Sequence, residues 1–266
     1  MRIAALYLVV FAAIAAPFGA AAEDEPSTKS SISLSANVTI ATDYRFRGVS
    51  QTENDLALQG GLKAAHESGF YVGTWASNLS GWGTFGGANL ELDLFGGYST
   101  DIGSVTVDGG VIWYVFPQGS DNTSYGELYA SLARSFGPST LTVGANYAFK
   151  QSALSLAGDK EDNIYVYAKA SAAIEDSPIT LNAQIGYSDG NPGAGPNGWV
   201  ASPTGSYFDW SAGVSVALPW GPIALSATYV DTSISRSEAA AFQLINPGYR
   251  YGIGAPTGIF TITASF

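Results

Sequence analysis

The sequence predicts an all-β protein: a closed, antiparallel transmembrane β-barrel of about twelve strands behind a cleaved signal peptide. Three observations carry this. Apolar and polar residues alternate with a period of two through many segments, for up to about fifteen residues in a stretch such as Ser33–Arg47. Connections between these segments alternate between short and long. Charged residues make up only 12% of the 266-residue chain, about half the usual share for a soluble globular domain.

Composition removes several function classes. No Cys is present, so disulfides, thiolate metal sites and an N-terminal lipidated Cys are excluded. The formal net charge is −11 and no basic cluster occurs, which argues against nucleic acid as a partner.

At the start, Arg2 is a minimal n-region and Ile3–Ala16 an h-region of 14 residues. Pro17 and Gly19 break it, and Ala20–Ala22 supply small residues for cleavage before Glu23. An uncleaved anchor is the rival reading, since the apolar stretch through Ala22 is just long enough to span. The break and the small residues favour a signal peptide over 1–22, an acidic tail over 23–32 and a barrel over 33–266.

The first strand, 33–46, sets Leu34, Ala36, Val38, Ile40, Tyr44 and Phe46 against Ser35, Asn37, Asp43 and Arg45. Strands 55–66 and 89–99 alternate likewise, with Lys63, Glu91 and Asp93 on the polar face. In 104–116, Val107, Val111 and Trp113 oppose Asp108 and Tyr114, and in 140–150, Leu141, Val143 and Tyr147 oppose Asn146 and Lys150. Strand 162–174 opposes Ile164 and Val166 to Tyr165, Tyr167 and Lys169, and strands 179–188, 207–218, 223–233 and 257–266 continue the series. Segments 70–79 and 124–135 read as strands with less clear alternation; in 70–79 the apolar parity is undecided. Short turns fall at 67–69, 100–103, 136–139, 175–178 and 219–222. Longer loops fall near 47–54, 80–88, 117–123, 151–161, 189–206 and 234–256, punctuated by Gly, Pro, Asn and Asp.

A soluble β-sandwich also alternates. Here, however, the apolar parity carries aliphatics in mid-strand and aromatics near both ends. Tyr44, Phe46, Trp113, Tyr147, Phe149, Tyr187 and Tyr229 stand beside long loops, and Phe70, Tyr98, Phe136, Trp220 and Phe266 beside short turns. Two aromatic belts around an aliphatic band, with short periplasmic turns and longer external loops, match an outer-membrane barrel. On this reading Tyr44 and Phe46 join the external belt, while Asp43, Arg45 and Arg47 point into an aqueous lumen.

The stretch Val38–Leu79, "VTIATDYRFRGVSQTENDLALQGGLKAAHESGFYVGTWASNL", followed by "ELDLFGGYS" at 91–99, resembles the opening of the TorF family of porin-like proteins, also called the Gcw-chp group. "DYRFRGVSQT" and "HESGFYVGTWASN" are its more specific blocks; later strands match only in pattern. The resemblance implies a Gram-negative outer-membrane, porin-like protein, and it implies no substrate and no catalytic residues.

Candidate sites are sparse. His66 is the only histidine, at a periplasmic strand end, the wrong rim for the His-centred set of a barrel hydrolase, and it reads as an interfacial polar residue. No catalytic residue, cofactor or metal is assigned. Glu91 and Asp93 read as lumen-lining carboxylates rather than paired catalytic acids or metal ligands. The glycine-rich 81–87 lacks the Lys and helix of a phosphate loop. The lumen-lining set is Asp43, Arg45, Arg47, Lys63, Glu91, Asp93, Asp108, Glu127, Lys150, Lys169 and Asp209, with the aromatics Tyr114, Tyr129, Tyr165 and Tyr167 and, at the terminus, Phe266 as an assembly signal.

A passive channel for small hydrophilic solutes is the first function expected. A plugged structural or surface-recognition barrel is the second, and a barrel enzyme is nearly excluded. With Asp55 added, the lumen charges are seven acids against five bases, which predicts a weak cation preference. Expected partners are outer-membrane lipid and lipopolysaccharide, the barrel-insertion machinery and small hydrophilic solutes.

Overall fold

The computed structural model describes residues 31–84, 86–119, 123–154, 159–190, 203–241 and 252–266. The signal peptide and most of the acidic tail lie outside the described residues, as do 191–202 and 242–251 within the two longest loops.

Alternation becomes strand as expected. The elements are β1 (Ile32–Ala41), β2 (Arg45–Phe46), β3 (Val49–Ser50), β4 (Ala57–His66), β5 (Phe70–Asn78), β6 (Leu90–Ile102), β7 (Val105–Val115) and β8 (Tyr125–Phe136). They continue with β9 (Ser139–Gln151), β10 (Glu161–Ala173), β11 (Ile179–Gly190), β12 (Tyr207–Ala217), β13 (Ile223–Thr232), the short helix α1 (Arg236–Ala241) and β14 (Thr257–Ser265). Twelve of the strands form one closed barrel: β1 pairs with β4, neighbours follow in chain order to β14, and β14 returns to β1. The seam runs from Asn37↔Ser265 to Ala41↔Thr261. Beyond it, Phe266 N donates to Ala36 O at 2.8 Å and Ala36 N to Phe266 O at 2.9 Å. Closure leaves no strand edge, and this is how strands satisfy their backbone groups inside a bilayer.

The exterior is apolar. Val38, Leu62, Val166, Leu181 and Ile262 are exposed, and so are Trp113, Tyr147, Phe149 and Tyr229 towards the long loops. Phe70, Tyr98, Phe136, Trp220 and Phe266 are exposed at the short-turn end. A closed barrel with this exterior is an outer-membrane protein of a Gram-negative bacterium.

Register settles the two ambiguous strands. In β5, Tyr71, Trp75 and Ser77 are buried inside while Phe70 and Val72 are exposed; in β8, Tyr125, Glu127 and Ser131 are buried while Leu128 and Leu132 are exposed.

The first strand departs from expectation. Its ladder with β4 ends at Ala41↔Ala57, Thr42 N still donates to Phe260 O at 3.0 Å, and residues 43–55 leave the wall instead of completing it. Tyr44, expected in the lipid belt, is 5% exposed, and Phe46 packs edge-on to Tyr114 at 5.8 Å. Period-two alternation persists through 42–47 because this segment enters a second, smaller ribbon: β2 and β3 pair with each other inside the barrel. The even-numbered face meets the aromatic inner wall, and an aromatic face buried in protein reads in sequence like one buried in lipid.

Candidate functional site: a hairpin across the lumen

The hairpin is built from its own residues first. Arg45 pairs with Ser50 and Phe46 with Val49, leaving Arg47 and Gly48 as a two-residue turn with φ of 48° and 80°. Two consecutive positive φ values are the signature of a type I′ turn, whose twist suits a β-ribbon. Gly48 is needed twice over, since a Cβ there would also lie 2.5 Å from Thr232 Cγ2 and 2.9 Å from Asp209 Cβ.

Asp43 and Arg45 brace this ribbon. Arg45 Nε donates to Asp43 Oδ2 at 2.5 Å, Ser50 Oγ donates to Asp43 Oδ1 at 2.6 Å, and Thr52 Oγ1 lies 3.1 Å from that same oxygen. Arg45 Nη1 donates to the carbonyls of Gly48, Ile253 and Ala255, and Nη2 to Asn54 Oδ1. Both charges are buried, so neither faces water as the sequence suggested. Loop 80–88 closes over the ribbon: Ser80 N donates to Gln51 O at 3.1 Å, and Ser80 Oγ donates to Thr52 O. On the other side Val49 packs with Tyr207, Ala239 of α1 and Ile253. Helix α1 carries its own cap, with Ser235 N donating to Glu238 Oε2 at 2.8 Å and Glu238 N to Ser235 Oγ at 3.2 Å.

Arg47 ties the hairpin tip to the wall. Its side chain reaches two strands, where Nη2 donates to Glu127 Oε1 of β8 at 2.6 Å and Nη1 to Asn163 Oδ1 of β10 at 2.7 Å. Its Cζ stands 4.4 Å from the centroid of Tyr165, and Tyr207 OH donates to Arg47 O at 3.1 Å. Glu127 also accepts from Tyr114 OH and Asn146 Nδ2, both at 3.1 Å.

Glu91 and Asp93 lie inside the same chamber at 3% and 2% exposure. Tyr44 OH donates to Glu91 Oε1 at 3.2 Å, and the Tyr44 ring meets Trp75 edge-on at 5.3 Å. Asp93 Oδ1 has no hydrogen-bond partner. Among the described residues no set of three or more His, Cys, Asp or Glu is placed to hold a metal.

Below the hairpin the interior changes character. Lys63, Asp108, Tyr129, Lys169, Asn182 and Gln184 are only half-buried. Tyr71 OH donates to Asp108 Oδ1 at 2.7 Å and meets Tyr129 OH at 2.5 Å. Lys63 Nζ sits 4.2 Å over Tyr71 and Lys169 Nζ 4.9 Å from Tyr167. These tyrosines lie flat against the wall, over glycines: a Cβ on Gly97 would lie 2.7 Å from Tyr129 OH, and one on Gly144 would lie 2.4 Å from Tyr167 OH. Asp209 accepts from Tyr165 OH at 3.2 Å. Lys150 and Asp55 are exposed at the external end, apart from both clusters.

The sequence reading missed Ser50, Thr52, Trp75, Tyr125, Asn146 and Asn163 as site residues. An available signal was the Arg47-Gly48 dipeptide, flanked by alternating residues on both sides, which fits a hairpin turn better than the end of a strand.

Residues 25–266 match the family model described as "Bacterial protein of unknown function (Gcw_chp)". No curated protein sequence matches the chain. Among solved structures, the NanC porin is 12% identical with a TM-score of 0.55, over 88% of this chain and 99% of that one. The KdgM porin is 6% identical with a TM-score of 0.55, over 87% of this chain and 98% of that one. At these identities the likeness is one of fold.

Proposed function

The chain belongs to the Gcw_chp family, and we propose that it works as an outer-membrane, porin-like channel for passive diffusion of small hydrophilic solutes or ions, with a weak preference for cations. The observation that carries this reading is the half-buried polar chamber of Lys63, Asp108, Tyr129, Lys169 and Gln184, which reaches up to the hairpin. The shared fold of the NanC and KdgM porins is compatible with the reading, as is the resemblance of residues 38–79 and 91–99 to the TorF porin group. Membrane lipid, lipopolysaccharide and the barrel-insertion machinery are the partners this role requires.

A second reading, a plugged structural or recognition barrel, is favoured by one observation: Ser50 and Thr52 of the crossing segment are fully buried. Planar-bilayer recording of the refolded mature chain decides between them. Discrete single-channel steps support the channel, and their absence, in the native chain and in a variant with a weakened hairpin, supports the plug.

A further inference from the structure

We propose that the inner wall around Arg47 is a recognition site for guanidinium groups. The hairpin fills it with its own arginine, and guanidinium-bearing organic cations reach it when the hairpin yields. The inference names a solute class for the channel reading above. Its transport consequence rests on that reading, whereas the recognition does not.

The wall presents a carboxylate oxygen and an amide oxygen to two different Nη atoms, at 2.6 Å and 2.7 Å, with an aromatic face 4.4 Å from Cζ. Two acceptors and a stacking face suit a planar, forked cation and not a compact ammonium. The acceptors are also held by contacts that do not involve the Arg47 side chain. Glu127 is fixed by Tyr114 and Asn146, and Asn163 Nδ2 donates to Asp189 O at 2.8 Å. Removing the Arg47 side chain alone leaves these contacts in place, together with the Phe46 ring that stands 4.7 Å from Cζ.

Charge points the same way. Glu91, Asp93 and Glu127 stand in one buried chamber, and Arg47 is the guanidinium that pairs with Glu127. Asp93 Oδ1 accepts no hydrogen bond. Acceptor oxygens beyond those Arg47 uses suit a solute bearing a second hydrogen-bond donor. The occupant is itself held unfavourably, because Arg47 has a φ of 48°, a region that side chains with a Cβ avoid. A free guanidinium carries no such backbone cost, although it competes with a tethered group at high effective concentration.

The test is chemical rescue. Arg47→Ala is refolded and its thermal unfolding followed with low-millimolar methylguanidinium, and separately with methylammonium at equal ionic strength. The expected result is that methylguanidinium recovers much of the lost melting temperature, methylammonium recovers little, and adding Glu127→Gln abolishes the recovery. Equal effects of the two cations, no recovery, or recovery indifferent to Glu127→Gln overturns the proposal. If Arg47→Ala refolds poorly, refolding yield with each cation is the readout, with the same expected order. Current through the variant separates the two levels. Selective rescue without conductance keeps the recognition site and removes the channel; conductance without selective rescue does the reverse.

Discussion

Arg47 Nη2 lies 2.6 Å from Glu127 Oε1, joining the hairpin tip to wall strand β8 across 80 positions of sequence. Both side chains are almost completely buried, at 4% and 0% exposure. The value of such a pair lies less in its net attraction than in the damage done when one partner is left alone.

Glu127→Gln leaves the Arg47 charge buried without its counter-charge and should cost about 3–5 kcal/mol in denaturant unfolding of the refolded barrel. Replacing both, as Arg47→Met with Glu127→Leu, should cost less than the single change. A double variant as unstable as the single one would show that the pair is not what fixes the hairpin.

Gly48→Ala should displace the tip, since a Cβ there lies 2.5 Å from Thr232 Cγ2 and 2.9 Å from Asp209 Cβ. Gly137 also has positive φ, but its Cβ would meet nothing within 4 Å, so Gly137→Ala should cost only the backbone term, about 1–2 kcal/mol. Unfolding midpoints and protease sensitivity of loop 42–56 compare them; equal effects would contradict a wedged tip.

Val166 is exposed on the lipid face, and Val166→Arg should impair assembly by about 2–4 kcal/mol if it lies near the midplane. Asn182→Arg, on the interior face of the adjacent strand β11, should be tolerated better. Refolding yield into detergent or lipid measures both, and equal tolerance would reject a lipid-facing exterior.

A weak cation preference should appear at low salt and fade as salt screens it. Arg47 pairs with Glu127 and Arg45 with Asp43, which leaves Glu91 and Asp93 as the carboxyl groups beside the hairpin that neither arginine pairs with. Glu91→Gln with Asp93→Asn should therefore reduce the preference. Neutralising Arg45 or Arg47, by contrast, disrupts the hairpin and does not isolate a charge effect. An anion-selective reversal potential in a salt gradient would contradict this assignment.

Phe266 is 73% exposed, yet its backbone exchanges two hydrogen bonds with Ala36 at the barrel seam. Phe266→Asp keeps those bonds and removes the ring; deleting the residue removes both. If the ring is the assembly signal, Asp should lower outer-membrane yield nearly as far as deletion, and far more than Ser265→Ala does. A near-normal yield for Asp would leave the seam bonds as the important contribution.

Much of the wall is legible in the sequence because its cause is local. Successive side chains of a strand point to opposite faces, so Val166 against Tyr167, or Leu181 against Asn182, declares strand and orientation together. The crossing segment was misassigned because its cause is not local. Asp43, Tyr44, Arg45 and Phe46 alternate just as a wall strand does, and nothing in their order tells lipid from the rings of Trp75 and Tyr114. The sequence by itself determined a transmembrane barrel with polar residues inside, since strand period, two aromatic belts and the alternation of short and long connections together suffice for that. Tertiary structure alone decided that Arg47 meets Glu127 and Asn163, because those partners come from strands that only barrel closure brings opposite the hairpin, at distances no sequence spacing encodes.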